Sequence, residues 1–504
     1  MIMTDDWSSG QYEDLAYLVE LRAVQHMSNT LPFPCTGGAV AAQVKQPAGL
    51  NKRGTLISTI LGSSLAFVVG SIINVALPQM QQEFEAGATG AQWIVNAYLL
   101  PLGALVLLGG ALGDKYGRRR IFLAGLVIFA VACVLCAVAW SFPVLLLGRV
   151  LEGVGAAMLA PTSLAILADG FSGRERGAAI GTWTAASAAA GAAAPLLGGV
   201  IVDVAGWRWA FVLMVPLSLI ALVVAFRSVR ESRADAEESA PLDWVGAILS
   251  GVGLFALIWA LIALPDRGPT GVVWGALGLG ILLLGAFVLV EHRLGDAAMT
   301  PLVLFTIRTF SGLSILTFFL YAALGGLMVL LPYVLIEEIG YSATGAGAAI
   351  LPFPLLMFLL SRFVGGTLSE RFGTRTLLTV GSSLVAAGFL LLSAVPPMDV
   401  SYWRHILPGL VVLACGMATS VTPLTTAVLN SVGQRYTGVA SGVNNAISRI
   451  GGLVATGLLG LVLIGSADNL LEGFAAAAWV GAGLALLSAV TAFLLVRDTA
   501  ESAD

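Results

Sequence analysis

Two residues of opposite charge, Arg149 and Glu152, lie inside an otherwise apolar stretch, LLGRVLEGVGAAM. Because they are three residues apart, they share one face of a helix and can form an ion pair. A helix that begins near residue 143 would carry Glu152 to a depth of roughly 13 Å, close to the middle of a bilayer. Charges at that depth are costly unless they face a partner or water. The pair is therefore a candidate for proton coupling, and the alternative is a structural ion pair that ties this helix to its neighbours.

A second group of charges lies in the segment GGALGDKYGRRR, at residues 109–120. The simpler interpretation is that its basic residues anchor a cytoplasmic loop. Its glycines also allow helices to approach closely, and its single aspartate can accept hydrogen bonds from a helix N-terminus. The arginines can pair with that aspartate, with lipid phosphate or with other carboxylates, as a latch that forms in one conformation and breaks in another. The latch residues expected here are Gly110, Asp114, Gly117, Arg118 and Arg119.

The segment GAAIGTWTAASAAAGAAAPLLGGV consists almost entirely of small residues. Small side chains let a neighbouring backbone pack very close, and Pro195 leaves an upstream carbonyl unpaired and can kink the helix. Tight packing alone would account for most of these residues. The family resemblance described below implies in addition a hinge between two parts of the protein, with Gly191, Pro195, Gly198 and Gly199 as its residues.

Other polar residues stand singly inside apolar stretches and are candidates for lining a central cavity. Each of them alone is more often a helix–helix hydrogen bond than a substrate ligand. Arg449 is the best candidate because it is a charge within a span, although it would snorkel if it lay near the cytoplasmic face. The candidates in the first half are Asn74, Gln92, Asn96, Tyr98, Trp183 and Thr184, and those in the second half are Asn430, Asn444, Asn445 and Arg449.

The composition shows what must position these residues. The chain has 504 residues, of which 58% are hydrophobic and 11% charged, and its mean hydropathy is +0.92. A soluble domain cannot hide that much apolar surface, so we predict an all-α polytopic membrane protein. Runs of about 20 apolar residues predict fourteen spanning helices. They lie at 55–78, 91–112, 121–140, 143–168, 177–202, 209–226, 243–264, 271–291, 309–335, 343–368, 376–395, 404–430, 437–466 and 473–496.

Several classes of function are disfavoured by what the sequence contains. The four cysteines form no disulfide framework or metal cluster, and three histidines cannot supply one. No phosphate-binding loop ending in Gly-Lys-Ser/Thr is present, so ATP is not the expected energy source. We see no converging catalytic groups, and we expect no enzyme activity, no cofactor, no metal and no nucleic-acid partner.

Charge placement and an internal repeat predict the organisation of the chain. Loops on the side of both termini carry most of the basic residues, whereas the other loops carry only Arg208, Arg267 and Arg404, so both termini are expected in the cytoplasm. The segment GGTLSERFGTRT, at 365–376, repeats the pattern of 109–120, which indicates two related halves with a substrate site between them. The expected parts are a disordered or mis-started tail at 1–50, a six-helix bundle at 51–230, a linker with two inserted helices at 231–295, a second six-helix bundle at 296–497 and a tail at 498–504.

Four motifs in order, together with the half-repeat, resemble the major facilitator superfamily and specifically its fourteen-helix drug:proton antiporter branch. They are SIINVALP at the end of helix one, GALGDKYGRRR after helix two, LLGRVLEGVGAAM in helix four and AAAGAAAPLLGGV in helix five. The resemblance covers about 52–497. It implies two six-helix bundles plus two inserted helices, which open alternately to each side. It also implies that the loop after helix two stabilises the outward-facing state and that helix five is a leak-proof hinge.

The chain departs from the family pattern at four positions. Val69 stands where helix one usually carries an aspartate, so an expected intramembrane carboxylate is missing. Glu152 stands where the family usually has glutamine, which places a carboxylate in helix four instead. Ala194 replaces the glycine before the helix-five proline, and Met214 replaces a frequent asparagine. These departures put the usual proton-coupling site in doubt.

The resemblance implies a secondary transporter in the bacterial inner membrane that exports an apolar or amphipathic small molecule in exchange for protons. We expect a monomer in the lipid bilayer. A proton-coupled or facilitated importer of a nutrient on the same fold is the first alternative. A membrane-embedded sensor or enzyme is the second, and it would need an extra soluble domain or a set of converging catalytic groups.

Overall fold

The computed structural model of the protein describes residues 51–233, 242–295, 298–363, 368–396, 399–433, 436–463 and 470–497. These residues are almost entirely helical, and no strand occurs among them. The two predicted tails, at 1–50 and 498–504, lie outside the described residues. So does most of the predicted linker, of which 231–233 and 242–243 are described.

The first part of the chain forms six long helices that pack on one another. Their bounds are α1 Lys52–Glu83, α2 Gly87–Tyr116, α3 Arg118–Ala137, α4 Phe142–Gly170, α5 Gly173–Ala205 and α6 Arg208–Ser228. Two further helices, α7 Trp244–Arg267 and α8 Gly271–Leu294, form an antiparallel pair that packs through α7 on α2. We call α1–α6 the N-bundle and α7–α8 the inserted pair.

The second part of the chain contains six more helical units, which we call the C-bundle. After a short 3-10 helix at Leu302–Thr306, the units are α9 Arg308–Glu337, α10a Ala343–Ile350 with α10b Pro352–Phe363, α11 Thr374–Ser393, α12 Leu407–Asn430, α13 Thr437–Leu463 and α14 Leu470–Leu495. A short helix at Ser369–Phe372 precedes α11, and a π-helical turn at Tyr402–Ile406 precedes α12. The predicted fourteen-helix fold is confirmed.

Most helices extend several residues beyond the apolar runs that predicted them. Hydropathy detects only the part of a helix that lies in lipid, whereas the ends are fixed by capping groups at the polar boundary. Asn51 accepts a hydrogen bond of 3.0 Å from the Gly54 N–H at the start of α1, and Asp243 accepts one of 2.7 Å from the Gly246 N–H at the start of α7.

The tenth predicted helix, 343–368, is divided at Leu351, because Pro352 has no N–H to continue the hydrogen-bond ladder. Its second part is described as far as Phe363, and 364–367 lie outside the described residues.

Thirteen helices among the described residues are long and apolar enough to cross a membrane. The fourteenth, α13, has 27 residues but carries polar groups such as Asn444, Asn445 and Arg449 within its length. Since fourteen crossings return the chain to its starting side, α1 begins and α14 ends at the same face. We call this the terminal face and the opposite one the distal face.

The N-bundle and the C-bundle meet along three pairs of helices. These are α5 with α10, α2 with α13, and α1 with α9, and α7 also packs on α13. The candidate functional residues are therefore of two kinds, those inside one bundle and those where the bundles meet.

Candidate functional site

The Arg149–Glu152 pair is fully enclosed. The two residues form the expected ion pair on α4, with 2.5 Å between an Arg149 guanidinium nitrogen and a Glu152 carboxylate oxygen. Their side chains are 1% and 0% exposed. Among the residues that the structure describes, the other carboxylates lie near helix ends or in loops, so Glu152 is the one held deep inside a helix.

Each member of the pair has further partners on neighbouring helices. Arg149 Nε donates to the carbonyl oxygen of Ile94 on α2 at 3.1 Å, and its guanidinium lies 4.5 Å from the ring centre of Tyr98. The Cys133 thiol of α3 donates to the second carboxylate oxygen of Glu152 at 3.2 Å. The pair therefore joins three helices of the N-bundle.

Tyr98 covers this site and does not line a cavity in this conformation. Its side chain is 2% exposed, and its hydroxyl donates to the carbonyl oxygen of Ala66 on α1 at 2.7 Å. The sequence interpretation placed Tyr98 among the cavity residues because it is a polar residue in an apolar run. The structure instead buries it against Arg149, where the aromatic face stabilises the cation.

The loop motif forms a compact cluster at the terminal face. Arg118 begins α3 and pairs with Asp114 at 2.9 Å and with Asp169, at the end of α4, at 3.9 Å. The Arg118 backbone N–H donates to the carbonyl oxygen of Ser232 at 2.9 Å. The expected pairing of a motif arginine with Asp114 is therefore present, and Arg118 Nε donates to this carboxylate at 3.0 Å.

The remaining motif residues bind the segment that follows α6. The Arg119 guanidinium donates to the Phe226 carbonyl oxygen at 2.7 Å, and its backbone N–H donates to the Glu231 carboxylate at 3.1 Å. Gly117 has a φ of 114°, a conformation that favours glycine, and a side chain there would also meet Glu231. Within the described part of the chain, the contacts of this cluster lie in the N-bundle and residues 231–233, so none of them connects the two bundles in this conformation.

Gly110 packs elsewhere, on α4. A Cβ at this position would lie 3.4 Å from the Pro161 Cβ. This close approach of α2 and α4 is of the kind that the sequence predicted for the glycines of the motif.

The small residues of α5 pack in two directions. A Cβ added at Gly198 would lie 2.8 Å from two Ile72 side-chain carbons on α1, inside the N-bundle. A Cβ at Gly199 would lie 2.7 Å from the Thr344 Cα on α10a, and a Cβ at Gly347 would lie 2.9 Å from the Leu196 Cα. The expected hinge segment is thus a contact of backbone on backbone between the bundles.

The other two hinge candidates lie on the same helix. Pro195 lies within the continuous helix α5 and presents its carbonyl to Gly347. A Cβ at Gly191 would lie 3.6 Å from the Phe67 Cβ on α1.

Asp203 closes this contact at the distal face. Its two carboxylate oxygens accept hydrogen bonds from the backbone N–H groups of Ala343, at 3.0 Å, and of Thr344, at 2.8 Å. The carboxylate of one bundle therefore caps the first turn of α10a in the other. Sequence reasoning missed Asp203, although an aspartate at the end of an almost uncharged helix was a usable signal. A second polar contact between the bundles at this face joins Gln82 and Glu337, at 3.5 Å.

Near the terminal face, the same side of α5 meets no neighbour among the described residues. Gly181 and Gly199 are separated by about five helical turns, so they point the same way. Gly199 touches α10a, whereas an added Cβ at Gly181 or at Gly177 would meet no atom within 4 Å. The bundles are thus joined at the distal face and separated along α5 toward the terminal face.

Several of the cavity candidates are occupied by hydrogen bonds. Asn96 is fully buried between the bundles and accepts from the Thr456 hydroxyl of α13 at 2.5 Å. Asn444 accepts from the Thr317 hydroxyl at 2.7 Å. Trp183 donates from Nε1 to the Ser63 hydroxyl at 3.0 Å. Asn96 therefore forms a hydrogen bond between helices and does not face a cavity in this conformation.

The other cavity candidates differ in exposure. Gln92 is buried near Gly460, and the Thr184 hydroxyl donates to the Ile180 carbonyl of its own helix. Asn430 is exposed at the end of α12. Four of these candidates have no side-chain hydrogen bond among the described residues and are at least partly accessible, namely Asn74, Asn430, Asn445 and Arg449.

The predicted repeat of the loop motif is only partly described, because 364–367 lie outside the described residues. At its C-terminal end, the Arg371 guanidinium lies 5.5 Å from the ring centre of Phe372, and that of Arg375 lies 4.5 Å from the ring centre of Phe493 on α14.

Comparison with known proteins gives one family. A family model described as the Major Facilitator Superfamily matches residues 59–456 and, in an overlapping match, 313–504. The puromycin resistance protein pur8 of Streptomyces alboniger is 32% identical over 463 residues, which cover 88% of this chain and 92% of that protein. The methylenomycin A resistance protein of Bacillus subtilis is 32% identical, with 87% and 92% covered. The multidrug resistance protein Stp of Mycobacterium tuberculosis is 34% identical, with 81% and 75% covered.

Solved structures share the fold. A bacterial homologue of the human lysosomal transporter Spinster, in an inward-facing and unoccupied conformation, has a TM-score of 0.61 at 18% identity and covers 88% of this chain and 96% of that one. An auto-inhibited peptide transporter of the POT family has a TM-score of 0.67 at 16% identity, with 89% and 98% covered. At these identities the likeness concerns the fold alone.

Proposed function

The chain belongs to the Major Facilitator Superfamily, and from this premise we propose that it exports an apolar or amphipathic small molecule in exchange for protons. The relatives named above are resistance proteins for puromycin, methylenomycin A and multiple drugs. Their similarity extends over most of the chain, which favours export over the uptake of a nutrient. The chain is thus a multi-pass membrane transporter.

The observation that carries the proposal is the uneven contact of the two bundles along α5. They meet at the distal face through backbone contacts and the Asp203 cap, and they separate along α5 toward the terminal face. With both termini in the cytoplasm, as the loop charges indicate, this is an inward-open conformation. Export then requires the distal contacts to break while the terminal face closes.

The proposed organisation follows the sequence prediction. The protein lies in the inner membrane as a monomer, with bundles at 51–230 and 296–497 and the inserted helices between them. The loop motif at 109–120 closes the terminal face in the outward-facing state. Its contacts inside the N-bundle agree with a conformation in which that latch is open.

We further propose that Glu152 carries the coupled proton. It replaces the carboxylate that is missing at Val69, and its position deep in α4 isolates it from bulk water. Burial in an apolar medium opposes the charged form of a carboxylate, while the Arg149 guanidinium favours it. A movement that separates the two side chains would favour proton uptake, and their return would expel the proton. Tyr98 covers the pair here, so proton entry requires this ring to move.

The first experiment is a resistance and accumulation panel in a host that lacks its major efflux pumps. Cells that express the protein should accumulate less of at least one toxic amphipathic compound, and dissipation of the proton gradient should abolish the difference. Inverted membrane vesicles should take up the same compound when their interior is acidified. Uptake of a nutrient into intact cells with no export of any compound would instead support the importer.

A further inference from the structure

Arg449 lies at mid-membrane depth in the wall between the two bundles. It is twelve residues from the start of α13, Thr437–Leu463, which corresponds to about 18 Å along the helix axis. Fourteen residues follow it in the same helix, so it is central from either end. An arginine at this depth is too far from the headgroups to bring its guanidinium into them. The snorkelling alternative considered for this residue therefore does not apply.

The surroundings of Arg449 supply aromatic rings and no carboxylate. Its guanidinium lies 5.6 Å from the ring centre of Phe67 on α1. Its Cβ would be 3.5 Å from a Cβ added at Gly103 on α2. The hydroxyls of Tyr98 and Tyr321 are close enough to interact electrostatically with its charge. Among the described residues, Arg449 forms no salt bridge and no side-chain hydrogen bond.

The contrast with Arg149 makes this arrangement informative. Both arginines lie inside the membrane-spanning region, but Arg149 is enclosed and neutralised by Glu152. That glutamate is bound on its other oxygen by the Cys133 thiol, so both of its oxygens are occupied. A charge within the membrane is expected to face a partner or a water-filled cavity. Arg449 has no partner of opposite charge in the described protein.

Arg449 is also accessible from the space between the bundles. It is half-buried, and Phe67, over which its guanidinium lies, is 37% exposed. Asn445 stands one helical turn earlier on the same face of α13 and is exposed with no side-chain hydrogen bond among the described residues. An apolar ring and a cation thus lie together where α1 and α13 face each other, and an amide lies one helical turn from the cation on α13. This set is complementary to a ligand with an apolar body and an acidic group.

We propose that Arg449 binds the acidic group of the transported compound and that the protein therefore prefers amphipathic organic anions. This inference rests on the proposed function, since it names the substrate class of the same cavity. Phe67 contacts the apolar part of the ligand, and the Arg449 guanidinium donates hydrogen bonds to its carboxylate or sulfonate. The substrate supplies the negative charge that the cavity lacks.

The test uses two ligands that differ in charge alone. Pyrenebutyrate is an amphipathic carboxylate, and its primary amide is neutral and nearly isosteric. Both are titrated into purified protein in lipid nanodiscs, and binding is read from energy transfer between the tryptophans and pyrene. Nanodiscs without the protein correct for partition into lipid. A charge-assisted hydrogen bond predicts that wild-type protein binds the anion at least about tenfold more tightly than the amide.

Three variants then locate the preference. Arg449→Gln should bring the ratio of the two affinities to about one without weakening the amide, and Arg449→Lys should retain part of the preference. Arg404→Gln removes an exposed arginine that precedes α12 and should behave as wild type. Equal binding of the two ligands by wild-type protein would overturn the proposal, and so would an unchanged preference in a folded Arg449→Gln protein. If that variant does not fold, the wild-type ratio and Arg449→Lys still decide.

Failure of this inference and failure of the proposed function give different results. Anion-selective binding without proton-driven transport of any compound would contradict the transport proposal and leave the binding site in place. Proton-driven export of neutral or cationic compounds by a protein that binds both pyrene ligands equally would contradict the anion preference and leave the transport proposal in place.

Discussion

Replacing Asp203 should shift the protein toward the conformation that is open at the distal face. In the structure its carboxylate accepts two backbone hydrogen bonds from the first turn of α10a, at 3.0 and 2.8 Å. These bonds join the two bundles, so they exist only while the distal face is closed. Asp203→Ala removes both acceptors, whereas Asp203→Asn keeps one neutral acceptor and should have a smaller effect.

The size of the shift follows from the energetics of helix caps. Removal of an N-terminal cap costs about 0.5–2 kcal/mol, and solvent screening at this exposed position keeps the value toward the lower half of that range. Ser342 still caps α10a through the Gly345 N–H, so the helix itself persists. A loss of about 1 kcal/mol changes the ratio of the two conformations by roughly fivefold.

The assay is single-molecule fluorescence energy transfer between dyes on the distal ends of α1 and α9. Cysteines at Glu85 and Glu338, both exposed, carry the dyes after Cys35 and Cys415 have been replaced by serine. The control is Asp266→Ala, which removes another exposed distal carboxylate that bonds Thr89 and does not join the bundles. The reasoning is refuted if Asp203→Ala leaves the distance distribution the same as in the control.

Two further predictions concern the terminal-face latch and the packing of α5. Asp114→Asn should strongly reduce transport while membrane insertion stays normal, because the cations that anchor the loop remain. Normal transport by this variant would show that the motif only anchors the loop. Gly198→Leu should impair transport more than Ala188→Leu, because a side chain at 198 meets Ile72 whereas Ala188 is exposed on the same helix. All three variants are measured by substrate uptake into inverted vesicles at matched expression. Equal losses of transport in Gly198→Leu and Ala188→Leu would contradict the importance of close packing at Gly198.

The sequence predicted the features that depend on local pattern. Apolar runs gave the fourteen helices, and the spacing of three residues gave the Arg149–Glu152 pair on one face of α4. The small residues of α5 correctly indicated close packing, since Gly198 and Gly199 meet neighbouring backbones and side chains. Each of these features depends on residues that are close in the sequence or on the composition of a single segment.

The features that the sequence did not reveal depend on contacts between distant segments. Tyr98 and Cys133 enclose the Arg149–Glu152 pair from two other helices, and no local pattern assigns them to it. Asp203 reaches a helix start 140 residues away. The predicted span 437–466 already placed Arg449 twelve residues from its start, but the sequence did not reveal that its guanidinium lies over Phe67 of α1. Polar residues in apolar runs were found readily, but their partners were not.

Glu152 is proposed to couple this transporter to a proton gradient. Glutamine at this position keeps the size and an acceptor for Arg149 but cannot gain or lose a proton. Purified wild-type protein and the Glu152→Gln variant, both verified as folded by size-exclusion chromatography, are reconstituted into liposomes with one exported compound identified in the panel. Transport driven by a pH gradient and substrate counterflow without a gradient are measured on the same samples. We expect the variant to lose pH-driven accumulation and to retain counterflow, whereas full pH-driven accumulation by the variant would contradict coupling through Glu152.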